Sequence, residues 1–246
     1  MGCSDQMKLS IVMPVYNEGK MVRRALGRVL RAELPSGVGR EVIVVDDGST
    51  DNSRLEVKKA MVRDGNRSLK LLEREHKGKG AAVREGIMTA KGDVILIQDA
   101  DLEYNPKYYS VLLEPLLAGK SKVVYGSRLS SLRFSLWGRN ATVFPSHYLG
   151  NKLLSLFTGW LFGVVVTDIE TGYKVFFREV IDGVSLVSDG FEIEPELTAK
   201  ILKRGFTIYE VPIKIKPRGY TDGKKIHWWH GVRALWILIK SRARWM

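Results

Sequence analysis

A chain of 246 residues has room for one large or two small domains with a sizeable core. Its 45% hydrophobic and 27% charged residues are those of a globular protein and exclude intrinsic disorder. The formal net charge of +12 points to anionic partners: nucleotide phosphates, an anionic membrane surface or nucleic acid.

Cys3 is the one cysteine, which excludes an intrachain disulfide or an all-cysteine zinc site and fits a reducing cytosol. The start Met1-Gly2-Cys3 is similar to an acylation signal, but Gln6 stands where that signal needs Ser or Thr, so an unstructured end is expected. No secretory signal peptide is expected. The longest uncharged apolar run, Leu153 to Val166, is too short for a membrane span.

Leu9 to Met13 reads as a first strand ended by Pro14, followed by a helix with Val22, Ala25, Leu26, Val29 and Leu30 at helical spacing. Glu41 to Val45 is a second strand, closing on Asp46-Asp47-Gly48-Ser49, and Ser49 or Asp51 is placed to cap a helix from about Asn52. Ser68 to Leu72 is a third, short strand; His76-Lys77-Gly78-Lys79-Gly80 then leads into a helix through Val83, Gly86, Ile87 and Ala90. Val94 to Ile97, four successive apolar residues, fits a strand buried on both faces. A helix from about Lys107 to Ala118 and a strand Val123 to Tyr125 complete an alternation that predicts an α/β fold, with a doubly wound and mostly parallel sheet.

Past Arg128 the pattern loosens into an aromatic, apolar stretch, with Phe134, Trp137, Phe144, Tyr148, Phe157, Trp160 and Phe162. A strand Val175 to Phe177, a helix Pro195 to Lys203, extended segments Phe206 to Val211 and Ile213 to Ile215, and a polar loop Pro217 to Lys225 follow. The last element is a basic amphipathic helix, Trp228 to Arg244, bearing Trp228, Trp229 and Trp236, with Trp245 just beyond it. From Gly205 onward nine Lys and Arg face two acids, so over half of the net charge lies in this tail.

The chemistry concentrates where Val94–Ile97 ends, at Gln98-Asp99-Ala100-Asp101-Leu102-Glu103. Asp99, Asp101 and Glu103 at alternate positions repel one another unless a cation sits between them, and hard oxygen ligands suit Mg²⁺ or Mn²⁺. The plainer alternative is a polar loop with solvated acids. Ligands of open α/β sheets gather at carboxyl ends of strands, which favours the metal. Gly78-Lys79-Gly80 is a near miss of the dinucleotide fingerprint, because Val83 stands where a third glycine belongs, so a dehydrogenase is not expected. No Gly-Lys-Ser or Gly-Lys-Thr occurs, which excludes a P-loop. What remains is a nucleotide site spread over several strand ends.

Pro14-Val15-Tyr16-Asn17-Glu18, Val45-Asp46-Asp47-Gly48-Ser49, Gly78-Lys79-Gly80, Asp99-Ala100-Asp101 and Gly126-Ser127-Arg128 occur in an order and spacing that resemble inverting GT-A-type family 2 glycosyltransferases, in particular the dolichyl-phosphate mannose/glucose synthase-like branch. Asp168 with Thr171-Gly172-Tyr173-Lys174, Phe191 to Glu196, and Arg218 with Lys224 extend the resemblance from Leu9 to about Leu238. It implies one GT-A domain over 1–246, with a nucleotide-sugar half (7–130), an acceptor half (131–226) and the basic helix (227–246).

By the same resemblance, Pro14, Tyr16, Glu18, Val45 and Asp47 hold base and ribose, Lys79 belongs to the nucleotide-sugar set, and Asp99, Ala100 and Asp101 meet ribose and diphosphate. Asp99, Asp101 and Glu103 surround the metal, although family members commonly carry Gln at the Glu103 position. Arg128, Arg218 and Lys224 are the implied phosphate-binding cations, and Asp101, Arg128 and Asp168 the catalytic residues. Asp168 orients the acceptor, acts as a base or merely caps Thr171-Gly172. Glu192, Glu194 and Glu196 are expected to be mainly structural, as acids favoured in a first helical turn.

The implied reaction moves a hexose, mannose before glucose, from GDP-mannose or UDP-glucose to dolichyl or polyprenyl phosphate. Such an acceptor needs a bilayer. Phe144 to Val166 and the last helix suit an interface, or alternatively a core- or dimer-facing position. With the chain ending at Met246, a cytoplasmic protein held peripherally at the membrane is expected. A glycan or small-metabolite acceptor is the nearest alternative, and a nucleotidyltransferase would share the carboxylates. A nucleic-acid-binding protein is disfavoured because Asp46, Asp47, Asp99, Asp101 and Glu103 repel a phosphate backbone.

Overall fold

Burial along the central strands is unbroken, and the alternating direction of their side chains sorts them onto two cores. Leu9, Ile11 and Met13 face one core with Val42, Val44, Val94 and Leu96, while Val12, Ile43, Val45, Ile95 and Ile97 face the other. A sheet apolar on both faces needs helices on both, and the computed structural model, which describes residues 7–65, 68–130, 145–215 and 228–243, supplies them. The elements are β1 (Met7–Val15), α1 (Val22–Leu30), β2 (Val38–Asp47), α2 (Ser53–Asp64), β3 (Leu69–Arg74), α3 (Lys79–Thr89), β4 (Val94–Ile97), α4 (Tyr109–Leu117), β5 (Val123–Ser127), α5 (Pro145–Phe162), β6 (Lys174–Phe177), α6 (Ile193–Lys203), β7 (Tyr209–Pro212) and α7 (Trp228–Ala243). Helices α1, α2 and α4 pack on the first face, and α3 and α6 on the second.

The sheet order is β3-β2-β1-β4-β6-β5-β7. β1 pairs in parallel with β2 and β4, β2 with β3, and β5 with β7; β6 is antiparallel to both β4 and β5. The carboxyl ends of β1, β2, β4 and β5 therefore open on one edge, and β6 starts there, with Lys174 opposite Ile97 and Tyr125. The expected doubly wound, mostly parallel sheet is present. α5 and α7 lie outside the two main layers and share a smaller core of Leu154, Ile169, Ala199, Ala234 and Leu238.

Several boundaries shift from expectation, β2 starting at Val38 and ending at Asp47 and β3 reaching Arg74, and the one at β1 has a clear physical reason. β1 runs through Pro14 to Val15, with Pro14 opposite Val45. The Gln98 amide donates to the Val12 carbonyl, so Val12, and by alternation Pro14, aims its backbone at the β4 side. The β1–β4 ladder pairs nothing beyond Val12, and a proline there forfeits no strand hydrogen bond. Cys3, Phe134, Trp137, Phe144, the loop Pro217 to Lys225 and Trp245 lie outside the described residues.

Candidate active site

At the shared edge, the loop after β1 is laced to the loop after β2. The Asn17 amide donates to Ser49 Oγ at 3.0 Å, the Glu18 amide to Ser53 Oγ at 2.8 Å, and the Thr50 amide to Asn17 Oδ1 at 2.8 Å. This fixes Tyr16 and Glu18, both part-buried, at the edge that Asp47 also reaches, with Pro14 and Val45 paired beneath them. The two aspartates ending β2 divide their work. Asp46 is fully buried against Arg54, whose Nε lies 2.5 Å from Oδ2. Asp47 accepts the Lys77 and Gly78 amides at 3.1 and 2.8 Å, and its Oδ2 meets His76 Nδ1 at 2.7 Å. The His76 ring stacks on Tyr16 with centroids 4.0 Å apart and 15° between planes.

Gly78 and Gly80 serve the protein's own backbone rather than a phosphate. A Cβ at either position would come within 2.4 Å of the carbonyl oxygen of Asp189 or Ser188 respectively, and the Asp189 carbonyl takes the Gly80 amide at the head of α3. That packing delivers Lys79 to the end of β4, where its Nζ lies 2.8 Å from Asp99 Oδ1 and 2.9 Å from Glu194 Oε1. Burial alone would lower the ammonium, but Asp99 and Glu194 raise it far above an ordinary lysine, so Lys79 is a permanent cation. Glu194 in turn meets the fully buried Lys174 at 2.5 Å, and Lys174 also donates to the carbonyls of Ile169 and Thr171. The chain of charges Asp99–Lys79–Glu194–Lys174 thus ties the ends of β4, α3, α6 and β6 together. Sequence reasoning took Glu194 as a first-turn acid; the structure makes it the hub of this chain.

The acidic loop after β4 is held from below. Gln98 Oε1 accepts the Tyr109 and Tyr173 hydroxyls at 2.8 and 2.9 Å, and the Gly172 amide donates to the Tyr104 hydroxyl at 2.8 Å. Ala100 is buried, and Asp101 Oδ1 accepts the Glu103 amide at 3.1 Å. Among the described residues no three acid, histidine or cysteine side chains group as a ready-made metal cage. Asp99 and Asp101 do provide hard oxygen donors at the strand end, and Mg²⁺ or Mn²⁺ binds well to one or two carboxylates when substrate phosphates complete its shell. The donor set fits such an ion together with a bound diphosphate.

Across the edge, Arg128 follows β5 and is locked to Asp168. The carboxylate of Asp168 accepts the Arg128 amide, Nε and a terminal nitrogen at 2.8, 2.7 and 2.7 Å, and Asn151 Nδ2 at 2.6 Å. Burial alone would raise Asp168, but Arg128 pulls it below the usual carboxylate range. A carboxylate so saturated is a weak proton acceptor and a good clamp. The fork uses two of the five guanidinium donors of Arg128. Glu170 moves the other way, raised by burial, and of the two acids it is the better proton acceptor.

The structure therefore brings Pro14, Tyr16, Glu18, Val45, Asp47, Lys79, Asp99, Ala100, Asp101, Glu103, Arg128 and Asp168 to one edge, while Arg218 and Lys224 lie outside the described residues. His76, Glu194, Lys174 and Asn151 were not anticipated. His76 adjoins Gly78-Lys79-Gly80 and Lys174 ends Thr171-Gly172-Tyr173-Lys174, so both had a motif beside them; Asn151 had none.

The family model described as "Glycosyl transferase family 2" matches residues 10–182. The dolichol-phosphate mannosyltransferase of Pyrococcus furiosus is 30% identical over 243 residues, 95% of this chain and 64% of the relative. Glycosyltransferase AglJ of Haloferax volcanii is 30% identical over 209 residues, 85% of this chain and 63% of the relative. The chain thus spans somewhat under two thirds of the length of these relatives. Among solved structures, glucosyl-3-phosphoglycerate synthase of Mycobacterium tuberculosis bound to UDP superposes with a TM-score of 0.71 at 19% identity, covering 96% of this chain and 80% of that one. The same enzyme with Mn²⁺, UDP and glucosyl-3-phosphoglycerate gives 0.69 at 19% identity, with the same coverage of both chains. That likeness establishes the fold, and the family match over the segments that carry Tyr16, Asp47, Lys79, Asp99 and Arg128 establishes the rest: the chain belongs to glycosyl transferase family 2.

Proposed function

We propose that the chain is an inverting, metal-dependent hexosyltransferase moving mannose, in preference to glucose, from a nucleotide diphosphate sugar to dolichyl or polyprenyl phosphate. The observation that carries this reading is the meeting at one sheet edge of the Tyr16–Asp47 pair, the Asp99–Lys79 pair and the Arg128–Asp168 pair, beside two helices with uncovered apolar faces. The Pyrococcus relative, named as a dolichol-phosphate mannosyltransferase, supports the choice of sugar and acceptor.

In the proposed reaction an acceptor phosphate oxygen attacks the anomeric carbon as the bond from that carbon to the donor diphosphate breaks, and the nucleoside diphosphate leaves. Mg²⁺ or Mn²⁺ held by Asp99 and Asp101 supplies charge stabilisation for the departing diphosphate when bound. Lys79 keeps a fixed positive charge beside Asp99. Arg128, clamped by Asp168, turns its remaining donors to an anion without rotating away. A phosphate is already ionised at neutral pH, so no strong base is required, which agrees with the depressed Asp168.

The apolar faces support a bilayer-bound acceptor. Leu149, Leu153, Leu156 and Trp160 of α5, and Trp229, Val232, Trp236 and Ile239 of α7, are exposed at helical spacing. Neither helix contains an acid, and Lys152, Arg233, Lys240 and Arg242 are exposed beside these faces. Apolar stripes bearing tryptophan and flanked by cations suit the interface of an anionic membrane. Among the described residues no helix is long and apolar enough to cross one.

The test incubates purified chain, Mn²⁺ or Mg²⁺ and dolichyl phosphate with a panel of radiolabelled nucleotide sugars. Label entering the organic phase with GDP-mannose is the expected result. Organic-phase label from another donor overturns the sugar, and label reaching only water-soluble acceptors overturns the lipid.

A further inference from the structure

Resting on the reading above that this edge binds a nucleotide, we infer that His76 is an internal stand-in for the nucleobase, which the donor must displace to bind. The two contacts His76 makes are those a uracil or guanine ring offers. It is planar and stacked on Tyr16, centroids 4.0 Å apart and 15° off parallel. It also presents a ring nitrogen to a carboxylate: Nδ1 lies 2.7 Å from Asp47 Oδ2 and 3.1 Å from the Asp47 carbonyl oxygen. Both neighbours only accept, so Nδ1 carries the hydrogen, as the imide nitrogen of either base would.

The surroundings are built for exchange at the side chain alone. Asp47 stays aimed without His76, because the Lys77 and Gly78 amides hold its two oxygens. The His76 backbone is pinned, since a Cβ at Gly48 would lie 2.6 Å from the His76 nitrogen. The ring itself is half-exposed, with 51% of the side chain accessible, and borders an open cleft of about 520 Å³ that also touches Arg54 and Arg74. Rotation of the ring into that cleft uncovers the Tyr16 face and releases one acceptor position of Asp47 Oδ2, whose other position stays with the Gly78 amide. His76 therefore sets donor affinity by competition, and removing it strengthens binding, the opposite of what loss of a substrate contact does.

The test is calorimetric titration of UDP and of GDP, with Mn²⁺ present, into the full chain as wild type, His76→Ala and His76→Phe. Losing a stack and a hydrogen bond from the empty state is expected to tighten nucleotide binding by roughly tenfold in His76→Ala. His76→Phe keeps the stack without the nitrogen and is expected to fall between the two. Equal or weaker binding by His76→Ala overturns the inference and makes His76 a bystander or a direct contact. If neither wild type nor His76→Ala binds UDP or GDP, the nucleotide reading itself fails, and the inference with it. Unchanged melting temperatures of both variants confirm that the difference lies in binding.

Discussion

Replacing Asp168 by Asn removes one charge from a largely enclosed ion pair of the site and changes little in shape. Asp168 is fully buried and accepts three hydrogen bonds from Arg128 and one from Asn151. The variant leaves the Arg128 guanidinium, only 22% exposed, without its anion. Removing one member of a buried pair costs about 3–5 kcal/mol, and the partial exposure of Arg128 places this pair near the low end, at about 3 kcal/mol. For a domain of this length each kcal/mol moves Tm by about 2–4 °C, so Asp168→Asn is expected to melt about 6–12 °C below wild type at neutral pH. The pH dependence follows from the sign of the shift. Because the folded-state pKa lies below the usual value, the stabilisation is complete above the unfolded pKa, about 3.9, and is lost as pH falls through the folded value. The two proteins should therefore converge only in acid, below about pH 4. Scanning calorimetry at neutral pH, with urea unfolding followed down into acid, measures both effects. A neutral-pH difference under about 2 °C, or one that stays constant in acid, refutes the assignment of Asp168 as the clamp of Arg128.

Three further outcomes are expected. Asp101→Ala should abolish turnover while leaving the far-ultraviolet circular dichroism and melting temperature of the wild type; retained activity would remove Asp101 from the metal site. Gly172→Ala should cost about 1–3 kcal/mol in urea unfolding and lower turnover sharply, because the new Cβ would lie 2.5 Å from Asp99 Oδ2 and 2.9 Å from Tyr104 Cε2. Wild-type kinetics in that variant would show that Asp99 has room to move without consequence. Leu153→Glu combined with Trp236→Glu alters side chains that are 58% and 64% exposed, so the fold should hold. Cosedimentation with anionic vesicles should fall at least about tenfold, since each side chain contributes about 1.5–3 kcal/mol when buried in an apolar phase. Undiminished vesicle binding would place the membrane contact elsewhere.

What could be read from the chain followed from local physics. β2 and β4 are legible because residues buried on both faces must be apolar without interruption. Asp47, Asp99 and Arg128 stand out because a charge directly after such a run needs a reason. β6 was visible as a strand, but its insertion between β4 and β5 is a choice among pairing partners 50 to 80 residues apart, on which no local pattern reports. α5 was harder still: with Leu149, Leu153, Leu156 and Trp160 on its outer face and Leu154 on its inner one, it lacks the polar face that marks a helix at the surface. Glu194 sits in the first turn of α6 as expected, but Glu-Ile-Glu-Pro-Glu is what any helix dipole favours, and nothing local announces that this acid also holds Lys79 and Lys174.

The partners of the site residues share a property that explains why motifs reveal one half of each pair. Asp99 is expected to meet a cation and is held by Lys79; Arg128 is expected to meet an anion and is held by Asp168; Asp47 and Tyr16 are expected to meet a planar ring with an N–H and are held by His76. In each case the protein supplies a group with the chemistry expected of the ligand. Physical necessity accounts for this, since an unpaired charge enclosed at a strand end costs several kcal/mol and must be neutralised by whatever is near. Lys79 and Asp168 stay in place beside a bound donor, but at the base subsite, where His76 is inferred to leave, donor binding is an exchange of partners rather than an addition. Its net free energy is then the difference between two similar sets of contacts, and affinity responds as strongly to the internal surrogates as to the residues that touch the ligand. Kinetics of variants at Lys79, Asp168 and His76 should accordingly change both the empty and the occupied state, and only binding measured separately from turnover will tell the two apart.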